Sequence, residues 1–342
     1  MNESEVLAAD NQSSVVLDSV ELKVKFDSGA SSRSKVLYGN GRMQVKVQVL
    51  VSGYDENGDP APVSTDVLDT VELIHYNTGE TLRNGWSASA EQGRFTLETA
   101  ASPSAAQRPD DQSQSAGHPH VRTFWVSSSG VGTTQVAARI SLNGNVIRSN
   151  GTGVIGRQDS SVTLDAQLPV SYSLEQFHLQ RVRRGNEEPG NRIWNYYLGL
   201  DYQGQQIKLV DWFSSKGSDD VVFAYGNWVR APNTNYLTGI LARPDKTDIA
   251  VNLPVNDNSL VNYIFRDSAL DSSNASKEYR VRVNDRHGKL TIVQALSEFA
   301  YNQAEYRADE VFCFSAIDQY GTEHKLAIRI DFTECIFVLE RG

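Results

Sequence analysis

The chain has 342 residues, 39% of them hydrophobic, and a formal net charge of -10 at pH 7, with a sequence pI of about 5.1. This length exceeds one ordinary sandwich and allows two or three separate cores. The acidic balance repels nucleic-acid backbones and anionic bilayers on average, so neither is an expected partner.

Residues 1–33 read as an N-terminal arm or first strand. Glu3, Glu5 and Asp10 come early, with no basic start and no apolar run, so no signal peptide is expected. Residues 21–26 (ELKVKF) alternate polar and apolar, and residues 44–51 (QVKVQVLV) do so more cleanly; each predicts a half-buried strand. Asn-Gly pairs begin at Asn40, Asn57, Asn84, Asn143 and Asn150, and Asp-x-x-Gly turns at Asp55, Asp201, Asp285 and Asp318. These residues tolerate positive φ and so predict tight hairpin turns between strands. Residues 99–120 have no aliphatic side chain larger than alanine and carry three prolines, which predicts a long loop or linker without a core of its own.

Two passages carry a resemblance. Residues 44–67 (QVKVQVLVSGYDENGDPAPVSTDV) run from an alternating strand into V-x-D-x-x-G-x-P-V, and residues 123–147 (TFWVSSSGVGTTQVAARISLNGNVI) read as a closing hairpin. This resembles the bacterial immunoglobulin-like domain of the invasin and intimin type. The resemblance implies an Ig-like β-sandwich over residues 34–156, with residues 99–120 as a loop inside it. Such a sandwich hosts unrelated roles and does not by itself fix a function.

In the second half, residues 279–283 (YRVRV) and 325–330 (KLAIRI) repeat the period of two. Residues 157–342 therefore read as one or two further β-sandwich domains. The fold class is all-β with few short helices, the best helical candidate being residues 297–309, with Ser297 as cap. Arg181, Arg183 and Arg184 precede Glu187 and Glu188, a spacing that suits a solvated, locally neutralised hairpin. Cys313 and Cys335 stand among apolar neighbours and read as two small buried core residues, not a disulfide.

Aromatic residues crowd this half. Trp194, Tyr196, Trp212, Tyr225 and Trp228, with Asp219 and Asp220 for hydroxyl groups, are the candidate glycan-binding set, since pyranose faces stack on such rings. Tyr and Trp also favour strands and fill sandwich cores, and that competing reading carries more weight. Asp55, Asn57, Asp59 and Asp66 fit calcium-loop positions, but Pro60 stands where the loop needs glycine, and a hairpin turn explains the same residues. No catalytic residue is assigned: nucleophile-elbow, zincin, P-loop and dinucleotide fingerprints are missing from the sequence, and Asp219 and Asp220, adjacent on a strand, point to opposite faces. No cofactor is expected.

The expected function is therefore non-enzymatic: a structural or recognition protein, such as a phage-like or contractile particle component or a leaderless adhesion module, with a protein or glycan ligand. The protein would be made in the cytoplasm and released in a particle, by a leaderless route or on lysis. The alternative is a bacterial toxin that binds host glycan or membrane and oligomerises, since alternating strands also suit a barrel.

Overall fold

The computed structural model describes residues 16–27, 32–96, 119–152, 158–185, 187, 189–217, 219–231, 233–255, 272–273, 276–301, 307–308 and 311–342. The chain divides into two compact units, Met1–Pro169 and Val170–Gly342. Both are built almost entirely from antiparallel strands, as the alternation and turn signals predict.

Unit 1 contains β1 (Ser19–Lys25), β2 (Ser34–Tyr38), β3 (Gln44–Tyr54), β4 (Pro60–Ala61), the single-turn α1 (Thr65–Leu68), β5 (Glu72–His75), β6 (Trp86–Ser89), β7 (His120–Ser128), β8 (Gly132–Leu142), β9 (Asn145–Arg148) and β10 (Val162–Gln167). One sheet has the order β1-β3-β7-β6 with β4 on β3; the other has the order β2-β10-β8-β5 with β9 on β8. The β2–β10 pair is parallel. β3 alternates half-buried and buried along its whole length, with Val47, Val49 and Val51 fully buried. Pro60 lies in the two-residue β4, where a missing amide donor costs least.

The N-terminal segment does more than precede the sandwich. β1 pairs with β3 over seven residues, from Ser19↔Tyr54 to Lys25↔Gln48. Its free edge is covered by side chains instead of another strand: Leu22 N donates to Gln158 Oε1 at 2.8 Å, Gln158 Nε2 donates to Val20 O at 2.7 Å, and Val24 N donates to Ser160 Oγ at 2.8 Å. Gln158 thus supplies one donor and one acceptor, as a neighbouring strand would.

Two Asn-Gly pairs adopt the conformation that the hairpin reading requires. Asn143 (φ 50) and Gly144 (φ 78) link β8 to β9, and Asn84 (φ 59) and Gly85 (φ 89) precede β6. At Asn40, Asn57 and Asn150 only the following glycine has positive φ. Asn40 instead accepts the amides of Arg42 and Met43 through Oδ1, each at 2.9 Å, a side-chain turn with no positive φ of its own. The loop expected at residues 99–120 lies, up to residue 118, outside the described residues.

Unit 2 contains β11 (Phe177–Arg183), β12 (Asn191–Tyr202), β13 (Gln205–Ile207), β14 (Leu209–Phe213), β15 (Val221–Ala231), β16 (Thr234–Leu241), β17 (Asp248–Pro254), β18 (Ser272–Ser273), β19 (Ser276–Arg282), β20 (Leu290–Ser297), β21 (Ala300–Tyr301), β22 (Arg307–Ala308), β23 (Val311–Asp318), β24 (Glu323–Asp331) and β25 (Ile336–Arg341). A seven-stranded sheet runs β11-β12-β20-β16-β15-β22 with β13 on β12; a second sheet runs β14-β23-β24-β25, and β17 pairs with β19. One face of the large sheet buries Tyr196, Leu198, Ile292 and Leu237 with Trp212, Phe312, Phe314 and Phe337. The other buries Ile193, Val293 and Ala295 with Val251, Tyr279 and Val281. β20 sits between both cores and all eight of its residues are buried, so LTIVQALS loses the alternation its neighbours keep.

Two expectations fail here. Residues 297–309 do not form a helix where they are described: Ser297 ends β20, and β21 and β22 follow. Their apolar residues serve strand pairing, which overrides a weak helical pattern. Cys335 is buried, but Cys313 is exposed, because β23 turns Phe312 and Phe314 into the core and the residue between them outward. Both thiols are free. Among the described residues, no helix is long and apolar enough to cross a membrane.

Candidate functional site

The predicted aromatic set does not assemble on one surface. Trp212 is 1% exposed and its Nε1 donates to the Ala242 carbonyl at 2.8 Å. Tyr196 is 2% exposed; its hydroxyl donates to Gln294 Oε1 at 3.3 Å and accepts from Phe337 N at 3.2 Å. These two rings belong to the first core, as the competing reading of the sequence holds. Trp194 is half-buried at the end of that core. Tyr225 is half-buried on β15, and the side chain of Trp228 lies outside the described residues.

Asp220 accepts the amide of Arg243 at 2.7 Å and the ammonium of Lys246 at 2.6 Å, while Asp219 is exposed. The calcium candidates divide in the same way. Asp55 Oδ1 accepts the amides of Asn57 and Asp59, each at 2.9 Å, which makes an Asx turn, and Asp66 sits in α1. Among the described residues, no group of three or more His, Cys, Asp or Glu side chains is placed to hold a metal ion.

The arginine run departs most from its expected setting. β11 and β12 pair Arg181 with Tyr196 and Arg183 with Trp194, and directly paired residues share a face. Arg181 therefore lies over the Trp194 ring at 4.0 Å from its centroid, and Arg183 at 5.3 Å. Arg184 leaves on the opposite face, where it bonds Tyr197 Oη at 2.5 Å and Asp285 Oδ2 at 2.8 Å. Tyr197 donates to Asp285 Oδ1 at 2.7 Å. Burial pushes the Tyr197 hydroxyl up and the Asp285 bond adds to it. Burial also raises Asp285, but its hydrogen bonds from Arg184 and Tyr197 outweigh that and hold it below the usual carboxylate range. The solvated hairpin expected here is replaced by two half-buried networks, one on each face. The Arg183–Glu187 pair at 3.3 Å is the part that matches the sequence expectation.

Sequence reasoning also missed Arg192, Gln294 and the Asp318–His324 pair. Arg192 and Trp194 alternate with Asn191, Ile193 and Asn195 along β12, a signal that was legible. His324 is 5% exposed and its Nε2 lies 3.0 Å from Asp318 Oδ2, between Tyr172 and Phe177. Asp318 Oδ1 accepts the amides of Tyr320 and Thr322. The pair pins the β23–β24 turn; nothing in the spacing of one Asp and one His announces burial. In comparisons with known proteins, no family matches the chain and no characterised protein matches its sequence.

Proposed function

We propose that the chain is a non-enzymatic structural or recognition protein, of the kind that serves as a spike, fibre or accessory component of a phage-like or contractile particle, or as an adhesion module. The observation that carries this reading is how three carboxylates of unit 2 are engaged. Asp220 holds Arg243 and Lys246, Asp285 holds Arg184 and Tyr197, and Asp318 holds two turn amides and His324. Such carboxylates brace hairpins, whereas a general acid or base must reach a substrate proton. The immunoglobulin-like reading of residues 34–156 is supported by the two sheets to which their strands belong and by the alternation along β3.

In the recognition form of this proposal the ligand is a glycan, and the residues put to the test are Tyr225, half-buried on β15, and Trp228 of the same strand. The test is a glycan array with the intact protein beside Tyr225→Ala and Trp228→Ala. Binding to a defined sugar that either variant loses supports the reading; no binding to any sugar removes the glycan and leaves a protein ligand. Turnover of a saccharide panel that Asp219→Asn or Asp220→Asn abolishes would sink the non-enzymatic reading altogether.

A further inference from the structure

Beside the first core of unit 2, two guanidinium groups lie against one indole and a third stands near enough for its charge to reach one of them. Arg181 and Arg183 both lie against the Trp194 ring. Arg192 stands two residues earlier on the same face of β12. The charges of Arg192 and Arg183 both reach Arg181, and add to the larger effect of burial in holding its guanidinium below its ordinary value.

Each guanidinium has five N–H donors, and among the described residues all three make their hydrogen bonds through Nη2 alone. Arg181 donates to Gln294 Oε1 at 3.0 Å and the Cys335 carbonyl at 3.3 Å. Arg183 donates to Glu187 Oε2 at 3.3 Å and the Asn191 carbonyl at 3.2 Å. Arg192 donates to the Asn233 carbonyl and to Thr234 Oγ1, the latter at 2.6 Å. Three further donors are shut off from solvent with no acceptor: Nε of Arg181, Nε of Arg192 and Nε1 of Trp194. Leaving such a donor unmade costs about 1–3 kcal/mol, and more for a charged group.

Charge points the same way. Among the described residues, the carboxylate bonded to these three cations is Glu187, whose Oε1 is also taken by the Ile193 amide at 2.8 Å. Asp331 acts from the Cys335 side, and its Oδ1 already accepts the amides of Thr333 and Glu334. Like charges gathered in a half-buried place are unfavourable without a compensating anion. Among the described residues, what the cluster lacks beyond Glu187 is an anionic acceptor that takes several converging N–H groups at once, and the fork of arginine matches the spacing of oxyanion oxygens.

We propose that Arg181, Arg183, Arg192 and Trp194 form a binding site for a compact oxyanion: a phosphate, sulfate or carboxylate group, free or as the head of a larger acidic ligand. The site uses none of the residues assigned to sugar binding above except Trp194, and it stands whether or not β15 binds a glycan.

The intact protein is titrated with inorganic phosphate, sulfate and acetate, each against sodium chloride of matched ionic strength, by isothermal calorimetry and thermal unfolding. The expected result is saturable binding of one of these anions and a rise in unfolding midpoint above the chloride control. Phosphate or sulfate ahead of acetate assigns a tetrahedral head group, and the reverse order a carboxylate. Arg183→Gln, at a side chain 38% exposed, weakens the anion about tenfold, the loss of one charge-assisted contact. Arg184→Gln, on the opposite face, leaves the affinity unchanged, and Trp194→Phe keeps a ring but removes a donor and weakens binding severalfold. Wild-type calorimetry with no anion heat above chloride overturns the proposal without recourse to any variant, and returns the orphaned donors to ordered water. Equal weakening by Arg183→Gln and Arg184→Gln also overturns it, as a response to net charge alone.

Discussion

His178 shows how one backbone position sets a side chain's chemistry. Its ring lies directly over Gly199, where an added Cβ would come within 2.3 Å of Nε2, so only glycine leaves the ring room to settle against the strand. Burial first, and Lys289 second, lower its pKa below the ordinary 6.5, while Asp201 opposes them. The folded state therefore prefers the neutral ring. A depressed value means that its contribution to stability is present above pH 6.5 and is lost as the pH falls through the folded value. Urea unfolding at several pH values between 7.5 and 5 should show a loss of stability on the acid side of about 6.5, and His178→Gln should reduce that loss. An unchanged pH profile in the variant would place the titration elsewhere.

At the level of elements, the exposed edge is the recurring liability of an all-β chain. β1 is such an edge, and Gln158 and Ser160 close it with side-chain bonds to Val20, Leu22 and Val24. Gln158→Ala should cost about 1–2 kcal/mol, the loss of two part-buried bonds to main-chain groups left unpaired. Chemical denaturation measures the cost, and amide exchange at Leu22 should quicken in the same variant. A neutral outcome with unchanged exchange would mean that β1 is held by its pairing with β3 alone. The turns teach a related lesson. Gln203 and Gly204 join β12 to β13 with φ 50 and 77, both positive, although glutamine is not a residue the turn code favours there. The Asp-x-x-Gly spacing beginning at Asp201 marked the place of this hairpin, and strand pairing imposed its conformation.

On the scale of the whole molecule, each unit closes its own core. Val47 is fully buried in unit 1 and Trp212 is 1% exposed in unit 2. Val47→Ala should lower the stability of unit 1 by roughly 2–3 kcal/mol, and Trp212→Ala that of unit 2 by about 3–5 kcal/mol, the cost of lost burial and an unfilled cavity. Followed by calorimetry on the full chain, the two substitutions should move different transitions, and the double variant should show both shifts together. A single transition that both variants move equally would show that the chain unfolds as one cooperative block.

The sequence by itself determined the all-β class, the strands with one wet face and several hairpins, because a period of two and turn residues are local properties of the chain. Residues 44–51 and 325–330 could be read in this way, since one face of each strand meets water or a polar rim. Tertiary structure alone decided the rest. β20 is covered on both faces, so its pattern carries no period; Cys313 and Cys335 look alike in sequence and differ only in which side of a strand faces the core. Trp194, Trp212 and Tyr196 are chemically equivalent candidates for a ligand surface, and pairing register decides which are core and which lies against arginine. The gathering of Arg181, Arg183 and Arg192 depends on the register between β11 and β12, because electrostatic neighbours are made by cross-strand pairing and not by nearness along the chain.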